Sequence, residues 1–521
     1  MHRRWIGRWW MRSALIVVVC VMATTAVAQD NNDDALRSYY SGNGFLNREL
    51  YDLAAREYEA FLDAAPFHEK AVVARYGLAV SLVRLGRHAD AVGHLEQLVG
   101  VNNFEYAAES LMMLGQSRLA LGEYAKSANA FGTVLDRHSD SELADEAAAL
   151  RSEAFYYNGD HALVDGPASI LMDRFPDSPL RERTEFFRAL AAMARAEFAP
   201  AADYFNAMLD RYPDGQYAGQ ATLLMGQCEH RADRLGNALS SYERVVERGN
   251  DTFVPDALYG MSIILHRDER FDDAEQALDR LLQSYPDNGN RANAQLLRGR
   301  VAFDQGEYAN AMTFLEALSD GPMALRDDAA YWIGKCALRE GRNGDAMQRL
   351  EDALQAYPDS ALRAEMLYDI AVAAHREANY RKTSDALERF GREFPEHELA
   401  AAGMHLLAST MHQQERYDES TALCDQFSST YVDHPMLSDV QFIAAENAYL
   451  QANYADADQR FQTYLTNHPN GERIIDAEFR RGMALYHLND YARSRDVLKA
   501  VEAAARENDR YRLAIFTLGD M

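Results

Sequence analysis

The sequence predicts an all-α solenoid: about thirteen helix-turn-helix units of about 37 residues, stacked in one continuous domain over residues 29–521. Three observations predict it. An anchor recurs at Tyr51, His88, Tyr124, His161, Phe198, Leu235, Phe271, Tyr308, Asn343, Tyr380, Tyr417, Tyr454 and Tyr491, with gaps of 35 to 37 residues. Nine residues before each anchor stands Gly, Ala or Ser, including Gly42, Gly115, Gly226, Gly299, Gly334 and Gly482. Proline and glycine then fall at fixed offsets between the apolar stretches.

Each unit reads as helix A, a short turn and helix B. The anchor, a small residue three later (Ala54, Ala91, Ala457) and a large one seven later (Tyr58, Leu95, Phe461) share one helical face. Val164 is the one bulky residue at the plus-three position. A ring or long aliphatic twelve before the anchor, such as Tyr76, Phe186 or Tyr331, lies on helix A beside the small residue. The small residues let the two backbones approach. The intervening turn is marked by Gly86, Gly122, Gly306 and Gly341, since glycine takes the left-handed conformation cheaply. Helix B ends before Pro66, Pro176, Pro213, Pro286, Pro358, Pro395 and Pro469, fifteen after an anchor, because proline disfavours helical geometry in the residue before it. Asp, Asn or Ser in the following link, as in Pro176-Asp177-Ser178-Pro179, is expected to cap the next helix A, with Pro179 in its first turn.

Small residue, glycine turn, aromatic anchor, alanine at plus three and proline at plus fifteen together resemble the tetratricopeptide repeat. The resemblance covers residues 31–521 and implies a right-handed α-α superhelix. The period is longer than the family's usual 34, and the extra length sits in the Tyr-Pro-Asp-type link. That variant is similar to the repeats of bacterial envelope proteins, such as the outer-membrane assembly lipoprotein and the Tol-Pal-associated coordinator.

Residues 1–28 differ from the rest. Arg3, Arg4, Arg8 and Arg12 precede the apolar run from Ala14 to Met22, and Ala26-Val27-Ala28 supplies small residues at a cleavage position. This is the pattern of a secretory signal peptide, with an apolar run too short to span a membrane. The chain is therefore expected to be exported, periplasmic or outer-membrane-associated, with no integral span after cleavage. Cys20 follows Val17-Val18-Val19 rather than a lipid-attachment pattern and reads as part of the apolar run. Loss of the four arginines takes the net charge from −27 to −31. Such acidity argues against nucleic acid as a partner. Cys228, Cys336 and Cys424 read as buried small residues, not as a disulfide framework.

No catalytic constellation stands out, and no cofactor or metal is expected. His230, His266, His375 and His412 all sit five before an anchor, where other units carry Leu46, Val83 or Phe303, so the position is one of packing. Asp272-Asp273 and Asp327-Asp328 read as helix-start charges. Phosphate loops, nucleophile elbows and zinc-protease motifs are missing.

The signal that remains is basic. Arg84, Arg231, Arg267, Arg339 and Arg376 sit four before an anchor, and Arg300 and Lys335 eight before. In the family, helix A lines a concave groove and these offsets face the ligand. The resemblance thus implies a cationic strip that holds carboxylates of other proteins or peptides; the plainer role of these cations is to offset helix C-terminal dipoles. The sequence reaches Met521 inside helix A of a fourteenth unit, with Phe516 at the ring position and Gly519 at the small one. Self-association through this uncapped end is a further expectation. The reading is a non-catalytic binding scaffold of the bacterial envelope. The alternative is the helical arm of a longer, lytic-transglycosylase-like enzyme acting on peptidoglycan.

Overall fold

The computed structural model describes the backbone of residues 25–504 and 509–521, and side-chain environments for residues 33–501 and 512–521. The signal-peptide reading rests on residues 1–28, whose side chains, Cys20 included, lie outside the described residues. Every regular element among the described residues is helical, and none is long and apolar enough to cross a membrane. The chain divides into two compact units, Met1–Met261 and Ser262–Met521. The first carries the anchors from Tyr51 to Leu235 and the second those from Phe271 to Tyr491.

Twelve of the thirteen anchors are the first residue of a helix B, from Tyr51–Ala64 to Tyr491–Ala504. The exception is His161, which opens a 3-10 turn (His161–Leu163) before the helix Asp165–Arg174. The sizes at plus three and plus seven are exchanged there: Val164 and Ala168 are both fully buried where other hairpins place a small and then a large residue. Within each unit a helix packs on its sequence neighbours, and helix A also meets helix A of the next hairpin. This nearest-neighbour packing is the signature of a repeat array.

One contact recurs and explains the small residue nine before the anchor. A Cβ built on Gly115 would lie 2.5 Å from the Phe131 ring, on Gly226 2.8 Å from Tyr242, and on Gly299 2.7 Å from Leu315. The same holds for Gly42 at Tyr58, Gly334 at Leu350 and Gly482 at Leu498. The large plus-seven residue of helix B thus lies directly on the backbone of its own helix A. Where plus three is serine, its hydroxyl donates to that helix A carbonyl: Ser127 to Gly115 at 2.7 Å, Ser420 to Ala408 and Ser494 to Gly482 at 2.8 Å. A second glycine, eleven before the next anchor, flanks the two tyrosines at plus seven. Cβ atoms on Gly77 and Gly260 would fall 2.4 and 2.6 Å from the rings of Tyr58 and Tyr242.

The turn between helices is left-handed two residues before every anchor. Gly86, Gly122, Gly159, Gly306 and Gly341 take φ of 72 to 84° there, and eight non-glycine residues do the same. Paired backbone bonds close it, as in Gly86 N to Val83 O at 3.0 Å and Arg87 N to Leu82 O at 2.9 Å. Ala378, with φ of 53°, therefore carries strain that glycine would lack. Ala378→Gly should raise stability by about 0.5–1 kcal/mol, the net of relieved strain and greater unfolded-state entropy, read from the denaturant midpoint.

Two expectations are corrected. Ser178 does cap a backbone N–H, but that of Leu180 at 3.2 Å, ahead of the helix Arg181–Ala194, and Pro179 lies in this turn rather than in the helix. Ser360 acts likewise on Leu362 N at 3.1 Å. The link forms its own turn before helix A begins, so capping is displaced upstream. Asp272-Asp273 do open the helix Phe271–Ser284, but Asp327-Asp328 lie in the second turn of Met323–Arg339, which starts early after Pro322. Cys228, Cys336 and Cys424 are buried free thiols. In the helix Asp509–Asp520, Phe516 is exposed and a Cβ on Gly519 would meet nothing within 4 Å.

Candidate partner-binding face

Three of the seven predicted cations come together in the second unit, on the helices Arg291–Asp304 and Met323–Arg339. Their common centre is aromatic. The Arg300 guanidinium lies 5.1 Å from the Trp332 ring centroid, Lys335 Nζ 5.0 Å from Tyr331 and 5.7 Å from Trp332, and Arg339 6.0 Å from Phe303. Phe303 meets Trp332 edge-on at 5.1 Å, and Tyr331 and Trp332 are 5.4 Å apart. Residues at offsets of three and four along a helix share a face, which brings Trp332, Lys335 and Arg339 side by side. Each cation over a ring gains about 0.5–1 kcal/mol at an exposed site, more where water is excluded.

The three cations are not equally available. Lys335 forms an ion pair with Asp369 at 3.4 Å and donates to the Tyr331 hydroxyl. Burial pushes the Asp369 carboxyl up, and the Lys335 charge opposes that shift. Lys335 is thus held inside the face. Arg300 has a buried Nε with no hydrogen-bond partner, and Arg339 is exposed at the helix end. Asp328 borders the face; burial first and then Asp327 push its carboxyl up, while Arg300 pulls it down.

The other four cations are placed differently. Arg376 donates to the Leu338 carbonyl at 3.1 Å, near the end of the preceding helix A, the dipole-offsetting arrangement. Arg231 in the first unit lies 5.6 Å from the Phe198 ring. Arg84 is exposed at the end of Ala71–Arg84, and Arg267 is engaged within the structure. Three of the four histidines five before an anchor reach into the next hairpin. His266 Nε2 lies 2.7 Å from Asp304 Oδ2, His375 Nδ1 3.2 Å from Thr410 Oγ1, and His412 Nδ1 2.6 Å from Asn447 Oδ1. Burial holds the His375 imidazole below its ordinary range.

Sequence reasoning missed Trp332 as the centre of the face. It also missed a column of ion pairs: an arginine ten before the anchor reaches the acid four after the previous one. Arg188 meets Asp165 at 2.7 Å, Arg481 meets Asp458 at 2.7 Å, and Arg298, almost wholly buried, meets Glu275 and Asp279. Opposite charges 23 residues apart in three units were the available signal.

The geometry is that of helix pairs joined by one repeated contact. Residues 41–106, 112–163, 231–289 and 267–324 match the family model described as tetratricopeptide repeat. The chain carries tetratricopeptide repeats. Residues 323–422 match a second model, described as outer membrane lipoprotein, and so resemble bacterial envelope repeats. No curated protein matches the chain. Among solved structures, yeast Tom70 is similar at 14% identity and a TM-score of 0.32, covering 92% of this chain and 100% of that one. The C-terminal part of a tetratricopeptide-repeat protein from Cytophaga hutchinsonii is similar at 14% identity and 0.40, covering 48% and 97%. One from Parabacteroides merdae is similar at 14% and 0.36, covering 51% and 98%. Tetratricopeptide repeats bind other proteins or peptides, and scaffolds of this kind are generally non-catalytic.

Proposed function

We propose that this protein is a non-catalytic scaffold of the bacterial envelope that grips acidic segments of partner proteins on the helix A face around Trp332. The observation that carries the reading is the convergence of Arg300 and Arg339 on the Phe303 and Trp332 rings, with Lys335 and Asp369 bracing the face from within. In a strongly acidic chain, a cationic and aromatic face selects carboxylate-bearing peptides, through charge-assisted hydrogen bonds and ring contacts. The export signal read at residues 1–28 and the outer membrane lipoprotein match at 323–422 support the envelope as its location.

Trp332 is the one tryptophan beyond residue 10, so in the signal-cleaved protein its fluorescence reports on this face alone. Titration with an acidic peptide rich in Asp, Glu and Phe should change that fluorescence in a salt-dependent way. Arg300→Glu combined with Arg339→Glu should weaken binding by at least about tenfold. An unchanged titration in the double variant defeats the reading. Turnover of peptidoglycan by the purified protein would also overturn it.

A further inference from the structure

A furrow lies between successive B helices, floored by the helix A between them. In repeat register its walls are the residue eleven after one anchor, those 17, 13 and 10 before the next anchor, and those 6, 9 and 13 after it. Two cavities occupy this register, one in each compact unit. In the first unit, about 170 Å³ is lined by charge: Arg181, Glu185, Arg188 and Arg211. Glu185 Oε1 accepts from Arg181 at 2.9 Å and from Arg211 at 2.5 Å, and Arg188 donates to Asp165 at 2.7 Å. In the second unit the equivalent residues are Ala400, Met404, Leu407 and Thr430, and the cavity grows to about 450 Å³. It lies between the helices Tyr380–Glu393, Ala400–Gln413 and Tyr417–Thr430.

The larger cavity has an identifiable cause. Eleven residues after the anchor, nine hairpins carry Leu, Val or Met. At that position Leu62, Leu135, Leu209 and Leu354 are buried. The hairpin of Tyr380 has Gly391 instead, and a Cβ there would meet nothing within 4 Å. Opposite it, fourteen before the next anchor, stands Gly403, the one glycine in that column. The solenoid therefore lacks here an aliphatic side chain that it supplies to itself elsewhere. Phe390, Leu407, Leu423 and Tyr431 wall the empty volume.

The rim adds a charge. Arg392 lines the cavity and donates to the Glu388 carbonyl at 3.2 Å, and it has no ion pair among the described residues. Glu388, which also lines the cavity, lies in the field of Arg416. Arg392 thus leaves a guanidinium at the mouth of an apolar hole.

We propose that this furrow is a docking slot for a partner peptide that inserts one Leu- or Phe-sized side chain next to a carboxylate, the side chain replacing the missing plus-eleven residue and the carboxylate pairing with Arg392. The apolar part follows from what fills the same register in other hairpins. The acidic part follows from charge complementarity with Arg392. The slot is lined by two B helices and the helix A between them, and does not involve Arg300, Trp332 or Arg339, so it stands apart from the face assigned above.

Met404 lines the slot and supplies a local reporter. In full-length protein carrying ¹³C-methyl methionine, N-acetyl-leucine should shift the Met404 signal, and N-acetylglycine should not. N-acetyl-leucinamide should bind about fivefold more weakly than the acid, because it lacks the charge that pairs with Arg392. Gly391→Leu should abolish the shift, Gly391→Ala should weaken it, and Arg392→Gln should make acid and amide equal. The far-ultraviolet circular dichroism and unfolding midpoint of each variant show that it is folded; the Ala and Gln variants, which add little bulk, suffice if the Leu variant is not. A Met404 signal unmoved by N-acetyl-leucine, moved equally by N-acetylglycine, or moved equally in the folded Gly391 variants overturns the proposal. So does a shift with sodium laurate alone, which would assign the slot to acyl chains.

Discussion

Gly334→Ala should lower stability by about 1–3 kcal/mol, while Gly93→Ala should raise it by about 0.5–1 kcal/mol. Both glycines sit within helices, so helix propensity favours alanine in each case. Only the surroundings differ. A Cβ on Gly334 would come within 2.6 Å of Leu350 Cδ2 and 2.7 Å of its Cγ; on Gly93 it would meet nothing within 4 Å. The Leu350 Cγ is not a free end that can swing aside, and Leu350 is fully buried, so relief requires the two helices to part. Gly334→Leu should be worse still. The contact can be isolated with Leu350→Ala, which leaves a cavity against Gly334. In the double variant the new Cβ enters that cavity, so the two changes together should cost less than their sum by about 1–2 kcal/mol. Strict additivity in denaturant titrations would show that the small residue before each anchor is not there to admit the plus-seven side chain. Because the array unfolds through neighbour contacts, the local readout is hydrogen exchange in the Met323–Arg339 and Asn343–Ala356 helices.

The same contact explains what could be read from the chain alone. Anchor, small residue and plus-seven residue lie within one hairpin; the first two recur thirteen times and a large plus-seven residue eleven times, so periodicity exposes them without knowledge of the fold. The left-handed turn was visible only where glycine marked it; Ala196, Ala378 and Ala452 adopt it with no sequence sign, because the Schellman-type closure imposes it regardless of side chain. Tyr58 and Tyr242 needed a further step. Each is flanked by a glycine from its own hairpin and another from the next, a relation between columns rather than within one. The cations show the limit most clearly. Arg339 and Arg376 occupy the same repeat position and both are exposed, yet one lies against a ring while the other is bound to a carbonyl. Lys335 looks as free in the sequence as Arg300, and only its contact with Asp369, 34 residues on, shows it to be engaged. Availability depends on what the neighbouring hairpin presents, and a single repeat column does not carry that information.

A buried acid in the first unit gives the second large effect. Glu153, on the helix Ala144–Asn158, is almost wholly buried and paired with Arg183, whose Nε lies 2.5 Å from its Oε1. Burial outweighs this partner and pushes the carboxyl up to about 7, from 4.5 in the open chain. A carboxyl raised on folding binds its proton more tightly in the native state than in the unfolded one. Its ionisation therefore destabilises the fold as pH rises from about 4.5 through about 7, and the penalty is complete above that window. Glu153→Gln keeps the shape and removes the ionisation. The variant should be more stable than the parent by about 2–3 kcal/mol at pH 8, with the advantage shrinking to near zero below the ordinary carboxylate range. Arg183 is two-fifths exposed and can be solvated once its partner is neutral, so the substitution leaves no buried unpaired cation. Denaturant midpoints of both proteins across this pH range test the sign directly. A variant less stable than the parent at pH 8 would mean that the Arg183 pair outweighs burial, and that Glu153 is an anchoring charge rather than a strained one.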